Sequence, residues 1–184
     1  IYESVSGKRV LIIAPGKTIA SGENQLRNLD AEGDVITISL NAVYGFETDF
    51  VLVTRPEAVR AVTEMNRNTQ IGKILLSNIA GSEVADSDTL VIDYSKWILA
   101  DDETRDSSGV ICLNLLKNSN ATKLMLAGFD GFTSEVNDNY SDPTMRRALT
   151  EKKAEDQNRF FSDFVEEIRK YKTVEFVTPT RYEV

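Results

Sequence analysis

Residues that could do chemistry cluster in the turn after the first apolar run of the chain. Five apolar or small residues, Val10–Ala14, are followed by Pro15, Gly16, Lys17 and Thr18. Glycine lets a backbone come close to a ligand, and a helix that starts at such a turn offers free N–H groups to an anion. The sequence therefore predicts that Pro15, Gly16, Lys17 and Thr18 cradle a ligand. The alternative is an ordinary strand-to-helix turn.

The Gly-Lys-Thr triplet in this turn is not a P-loop. That motif requires another glycine five residues before Gly16, and the residue there is Leu11. The turn also departs from the Gly-x-Gly-x-x-Gly pattern of dinucleotide-binding proteins. Any anion site at this turn is therefore expected to be of another kind.

Two further stretches place polar residues at the ends of predicted elements. Asp130 and Gly131 follow a strand, where a carboxylate could bind a ribose hydroxyl or a metal, or cap the next segment. Asp106, Ser107, Ser108 and Gly109 open an apolar helix, whose N-terminus could bind a phosphate or a ring edge, or simply be capped. Both interpretations stay open for both stretches.

Two asparagines follow the ends of other predicted strands. These are Asn41 and Asn78. Ligands of open α/β sheets bind at the carboxyl ends of the strands. Each amide is therefore predicted either to recognise a ligand or to serve as a turn residue.

The sequence contains no histidine. A Ser-His or Cys-His relay, an imidazole metal ligand and a histidine general base are therefore all excluded for this chain. The single cysteine, Cys112, lies within the apolar run Val110–Leu116 and is predicted to be a buried core residue. Any catalysis would have to use carboxylates, lysine, tyrosine or a bound metal.

Length and composition fit a single domain over residues 1–184, because a hydrophobic content of 41% suffices for a sizeable core. A net charge of −8 argues against nucleic acid or an anionic membrane as a partner. No run approaches the roughly 20 apolar residues of a membrane span and no signal peptide is visible, so we expect a cytoplasmic protein. The chain begins at Ile1, which predicts a fragment of a longer protein.

Apolar runs alternate with stretches of helical periodicity along the chain. Strands are predicted at 10–14, 35–39, 49–54, 73–77, 89–93, 123–128 and 174–177, and helices at 18–29, 56–66, 110–116 and 145–171. A polar lead is expected at 2–7 and a mobile polar loop at 132–143. This alternation predicts an α/β fold, a Rossmann-like three-layer α/β/α domain with a mostly parallel sheet.

Several segments carry a family resemblance: VLIIAPGKTI, SLNAVYGFETDFVLVTRPE, KILLSN, DSSGVICLNLLKNSNATKLMLAGFDGF and VEFVTPTRY. Together they resemble the C-terminal domain appended to bacterial aldolase-like proteins of the HMG-CoA-lyase-like TIM-barrel group, often labelled 4-hydroxy-2-oxovalerate aldolases. More distantly, the pattern is similar to bacterial sialyltransferase and pterin-pyrophosphokinase-like folds, which hold a nucleotide at the corresponding turns. The chain departs from those sialyltransferases in lacking a histidine base, and its first turn is Ala-Pro-Gly-Lys.

The resemblance implies an accessory ligand-binding domain beside the TIM barrel of a parent lyase. Gly16, Ser108 and Gly109 would hold phosphate, while Asp130 and Asn41 would contact a sugar or base. The aldolase's own metal-binding and acid–base residues would lie in the barrel, so no catalytic residue or metal is assigned here. A nucleotide or nucleotide sugar is the expected small-molecule ligand.

Two alternatives to an accessory binding domain stay open. The first is a glycosyltransferase-like enzyme that uses a nucleotide-activated sugar. The second is a structural or oligomerisation module, which would form a homo-oligomer.

Overall fold

A seven-stranded sheet forms the centre of the fold. The computed structural model describes residues 1–30, 33–44, 47–65, 71–76, 78–79, 89–102, 105–142, 145 and 147–183. The strands are β1 Arg9–Ile13, β2 Val35–Leu40, β3 Phe50–Val53, β4 Gly72–Leu76, β5 Thr89–Ile92, β6 Lys123–Ala127 and β7 Thr173–Phe176. They pair in the order β5-β4-β3-β2-β1-β6-β7, and every pairing is parallel.

Helices cover both faces of this sheet. They are α1 Tyr2–Val5, α2 Thr18–Ser21, α3 Glu23–Asp30, α4 Pro56–Met65, α5 Ser108–Leu116 and α6 Glu151–Arg169, with short 3-10 turns at Tyr94–Lys96 and Val136–Asp138. Alternate residues of β1 point to opposite faces of the sheet. Val10 and Ile12 pack with α5 and α6, whereas Leu11 and Ile13 pack with α2 and α3. The predicted three-layer α/β/α fold is therefore confirmed.

The burial of the central elements explains why their sequences are apolar throughout. Val10–Ile13 of β1 are completely buried because β2 and β6 pair with the strand on either side and helices cover both faces. Helix α5 is buried from Gly109 to Leu116, so it lacks the polar stripe of a surface helix. Cys112 is completely buried within it, as predicted.

Element boundaries differ from the predictions where caps and glycines decide them. The helix predicted at 18–29 is two helices, since α2 ends at Ser21 with Gly22 as its C-cap. The helix predicted from residue 145 begins at Glu151, where the Thr150 hydroxyl accepts a hydrogen bond from the Lys153 N–H at 3.3 Å. The predicted ends Asn66, Ser77 and Pro143 lie outside the described residues.

Two segments expected to be loose are packed. The polar lead at 2–7 contains helix α1, whose Val5 is completely buried in the core. The loop predicted at 132–143 holds Asn139 and Tyr140, which are only 4% and 7% exposed. Both segments are therefore anchored to the domain by buried side chains.

The strand order brings the site's loops together. The chain adds β2 to β5 outward on one side of β1, then returns to place β6 on the other side. The sheet order therefore reverses between β1 and β6, and in α/β sheets such a reversal marks the usual ligand crevice at the carboxyl ends of the strands.

Candidate functional site

A cavity of about 990 Å³ lies at the carboxyl end of the sheet. The segments after β1, β2, β3, β4 and β6 line it, together with the start of α5. Nine of the eleven residues predicted from the sequence lie in its wall: Pro15, Gly16, Asn41, Asn78, Ser107, Ser108, Gly109, Asp130 and Gly131. The other two, Lys17 and Thr18, do not line the cavity.

Gly16 lies close to the segment that follows β6. Its N–H donates to the Gly128 carbonyl at 3.0 Å. A Cβ at this position would lie 2.5 Å from Cγ of Asp130 and would also collide with the Gly128 carbonyl oxygen. Glycine is thus required here because the turn after β1 crosses the segment after β6, a reason different from the predicted approach to a ligand.

The Asp130 carboxylate is held by the turn after β1. It accepts the Thr18 N–H at 3.0 Å and the Thr18 hydroxyl. Thr18 also contacts the Thr178 hydroxyl at 3.0 Å, and Thr178 in turn accepts the Gly128 N–H at 2.8 Å. This buried network joins the segments that follow β1, β6 and β7. It accounts for the positions of Thr18 and Asp130 by the packing of the chain.

Asn41 bridges the ends of two neighbouring strands. It has a left-handed backbone (φ 60°), and its side-chain oxygen accepts the Thr54 N–H at 2.8 Å. Its side-chain NH₂ donates to the Thr54 hydroxyl at 3.1 Å. The amide thus closes the gap between β2 and β3. Asn78, by contrast, is an exposed residue of the cavity wall.

The N-terminus of α5 opens into the cavity. The Ser107 hydroxyl caps the helix by accepting the Val110 N–H at 3.4 Å, as the sequence predicted. The N–H groups of Ser108 and Gly109 belong to the first turn, where an α-helix provides no internal acceptor. They are therefore suited to an anionic group in the cavity.

A second buried carboxylate, that of Asp106 in the predicted helix-start stretch 106–109, stands beside this N-terminus. Asp106 is 7% exposed and lines the cavity. Its two oxygens accept the backbone N–H groups of Leu99, Ala100 and Asp102 at 2.7 to 3.2 Å. Asp106 and Asp130 are thus both bound to backbone N–H groups of the chain.

Two arginines that were not predicted also line the cavity, and each lies over an aromatic ring. Arg55 lies 5.9 Å from the centre of the Tyr140 ring, and its Nη2 donates to the Tyr140 hydroxyl at 3.3 Å. Arg147 lies 5.3 Å from the centre of the Phe132 ring. The sequence did contain a signal for Arg55, since it follows the end of β3 as Asn41 follows β2. Arg147 lies in an irregular segment and has no such signal.

Aromatic rings form one wall of the cavity. The rings of Phe129 and Phe161 stack with centroids 5.5 Å apart, and Tyr182 lies 4.4 Å from Phe161. Burial raises the pKa of Tyr182 well above its ordinary value. The C-terminal segment reaches this wall because the Arg181 N–H donates to the Asp130 carbonyl at 3.0 Å. The wall combines α6, the β6 loop and the C-terminal segment, so no local motif indicates it.

The segment 132–142 contributes Phe132, Asn139, Tyr140 and Asp142 to the cavity wall and is tied to the rest of the domain at several points. Phe132 exchanges two backbone hydrogen bonds of 2.8 Å with the Asn158 amide of α6. The Ser141 N–H donates to the Pro15 carbonyl at 2.8 Å. Lys17 forms a half-exposed ion pair of 2.8 Å with Asp138, which lowers the pKa of that carboxyl group. Lys17 therefore binds this segment through an ion pair and does not line the cavity.

Comparison of the sequence with protein-family models and with curated proteins finds no match to either. The α/β fold is shown by the structure, and the family resemblance remains a prediction. Among the described residues, no group of three or more acidic or thiol side chains is arranged to hold a metal ion. No helix within the described ranges has the length and apolar character needed to cross a bilayer.

Proposed function

We propose that this domain binds an anionic small molecule with a planar ring, of the nucleotide or phosphorylated class, in the cavity at the carboxyl end of the sheet. One observation carries the proposal. Arg55, Arg147 and the N-terminus of α5 line the cavity, and the two buried carboxylates among its four acidic lining residues accept hydrogen bonds from the backbone. The negative charges of those two buried carboxylates are therefore already stabilised by backbone N–H groups. The arginines and the helix N–H groups favour an anion.

The size and the apolar wall of the cavity support a ligand with a ring. Its volume of about 990 Å³ is at the upper end of the range typical of small-molecule sites. Phe129, Phe161 and Tyr182 line one side of the cavity, each of them at least nine-tenths buried. A nucleotide or nucleotide sugar combines the anionic group and the flat ring that these two parts of the cavity would bind.

The family resemblance adds a biological setting to the proposal. We infer that the domain is an accessory module of a bacterial, cytoplasmic, aldolase-like lyase and performs no aldol chemistry by itself. The transferase alternative predicts something different, since a transferase would slowly hydrolyse a nucleotide sugar. Release of free nucleotide from UDP-sugars and CMP-sugars by the purified domain therefore distinguishes the two.

A thermal-shift screen tests binding. The panel contains nucleoside mono- and diphosphates, UDP-sugars, CMP-sugars and pterins, each with and without Mg²⁺. A ligand at a hundredfold excess over its Kd stabilises the folded state by about 2.7 kcal/mol. For a domain of this size, that corresponds to a rise in Tm of about 5 to 10 °C. No rise with any member of the panel would contradict the proposal.

The decisive variant is Ser108→Asp. An acidic residue in the first turn of α5 suits the helix dipole, so the fold should be retained, but its carboxylate would repel an anion from the same N–H groups. The matched control is Ser4→Asp in α1, an exposed serine that precedes β1 at the opposite end of the sheet. We expect Ser108→Asp to abolish the thermal shift and Ser4→Asp to preserve it. Equal shifts in both variants would exclude the α5 N-terminus as the anion site.

A further inference from the structure

Most arginines of the described residues pair with a carboxylate, and Arg55 is a half-buried exception. Six other arginines form ion pairs with carboxylates: Arg9, Arg27, Arg60, Arg105, Arg159 and Arg169. Arg55 is half-buried, yet it forms no ion pair with any carboxylate of the described residues. This is unexpected in a chain whose 29 acidic residues outnumber its 21 basic ones.

Arg55 lines the cavity, and its contacts leave most of its donors without a partner among the described residues. Its polar partner is the Tyr140 hydroxyl at 3.3 Å, a long bond that engages one of its two terminal nitrogens. Its guanidinium also lies over the Tyr140 ring, which orients it without using an N–H group. A guanidinium carries five donors in a fork that matches phosphate or carboxylate oxygens. A partly desolvated arginine of this kind is suited to a second, anionic partner.

We infer that Arg55 is the side chain that binds the anionic group of the ligand, a phosphate, and that it gives up the Tyr140 hydroxyl when it does so. The inference rests on the proposed function and adds to it a named cationic contact. It also links the ligand to the segment 132–142, since Tyr140 belongs to that segment. Binding of phosphate at Arg55 thereby releases a contact of a segment that lines the cavity.

Isothermal titration calorimetry of the whole chain tests the inference. The probes are inorganic pyrophosphate and the four ribonucleoside 5′-diphosphates. Arg55→Met keeps the length of the side chain and removes its charge and donors. We expect its Kd for the bound probes to rise at least tenfold, which corresponds to about 1.4 kcal/mol. Arg55→Lys keeps the charge but loses the fork, and a threefold to tenfold weakening is expected.

The control variant is Arg60→Met. Arg60 carries the same charge on α4, but its side chain is 88% exposed and pairs with Glu64 on the surface. We expect this variant to bind the probes as the unmodified protein does. A weakening equal to that of Arg55→Met would show that only net charge matters and would overturn the inference.

Tyr140→Phe separates ligand binding from a purely structural role. If Arg55 exchanges the Tyr140 hydroxyl for phosphate, removing that hydroxyl leaves the Kd unchanged or lowers it. A tenfold weakening in Tyr140→Phe would mean that the Arg55–Tyr140 contact shapes the cavity, and it would overturn the exchange.

The failures of the two proposals are distinguishable. If Ser108→Asp loses binding while Arg55→Met and Arg55→Lys keep it, the proposed function stands and the role of Arg55 is refuted. If the unmodified protein binds none of these probes but shows a thermal shift with another member of the panel, the inference is refuted and the proposed function stands; no response in either assay refutes both.

Discussion

Gly16→Ala is expected to be strongly destabilising, because a single added methyl group has no room at this position. The new Cβ would lie 2.5 Å from Cγ of Asp130 and would overlap the Gly128 carbonyl oxygen. Neither neighbour can yield easily. Gly128 follows β6 directly, and β1 and β6 are paired along their whole length in the centre of the sheet.

The magnitude follows from two contributions. Inserting a methyl group into a closely packed site costs about 1–3 kcal/mol. Moving Asp130 aside weakens its bonds to Thr18, and hydrogen bonds to a charged group contribute about 1.5–3 kcal/mol each. Together they predict a loss of about 4 kcal/mol in the free energy of unfolding. For a chain of this length, the corresponding fall in Tm is about 8 to 16 °C.

Urea unfolding followed by circular dichroism measures this loss of stability. Two other glycines provide matched controls in that assay. Gly33 has no neighbour within 4 Å among the described residues, so Gly33→Ala should be neutral or stabilise by about 0.5 kcal/mol. Gly7 is equally open but has φ +71°, so Gly7→Ala should cost about 1 kcal/mol through backbone strain alone. If Gly16→Ala costs no more than Gly7→Ala, the tight crossing of the two turns is not a constraint and the reasoning fails.

Three further predictions concern other parts of the molecule. Gln157→Met should stabilise the fold by about 1 kcal/mol, because both polar atoms of this buried amide lack a partner in the described part of the chain. Asn158→Leu should instead cost about 2 kcal/mol, because the two hydrogen bonds to Phe132 are lost. Chemical denaturation measures both changes. Cys112 should react with a disulfide reagent at pH 8 only at the rate of unfolding, because complete burial raises its pKa to about 12, and rapid labelling of the native protein would contradict this. The hydrogen bond from Arg9 lowers the pKa of Asp34. The stabilisation of the fold by this ion pair is therefore present above the ordinary carboxyl pKa and is lost as the pH falls through the lowered value. Arg9→Met should return the pKa of Asp34 to its ordinary range in an NMR titration.

Most of the fold was predictable because its elements are locally consistent. Each strand predicted from an apolar run is present, with ends that differ by no more than one residue. The start of α5 was predictable from the run of cap-competent residues before it. The missed features depend on tertiary contacts. Helix α1 exists because Val5 reaches the core, and the division between α2 and α3 comes from a single glycine, Gly22.

The candidate site was predictable in position but not in full composition. Residues after strand ends must lie at one edge of a parallel sheet, and this rule placed nine of the eleven named residues in one cavity. Arg147 and Tyr182 come from irregular or terminal segments, and the contacts that bring them there join residues far apart in sequence. No local pattern records such contacts.

The residues that the sequence marks most clearly as site residues are poor candidates for touching the ligand. Glycine, asparagine and aspartate stand out at strand ends because the backbone there needs close approaches, left-handed conformations and carboxylate acceptors. Gly16, Asn41 and Asp130 meet those needs within the chain. The groups with donors left to the cavity are Arg55 and the first turn of α5. Substitutions in the first set should therefore lower stability, whereas substitutions in the second should lower ligand affinity at nearly constant stability. An Asp130→Asn variant that keeps full stability but loses binding would show that this division is wrong.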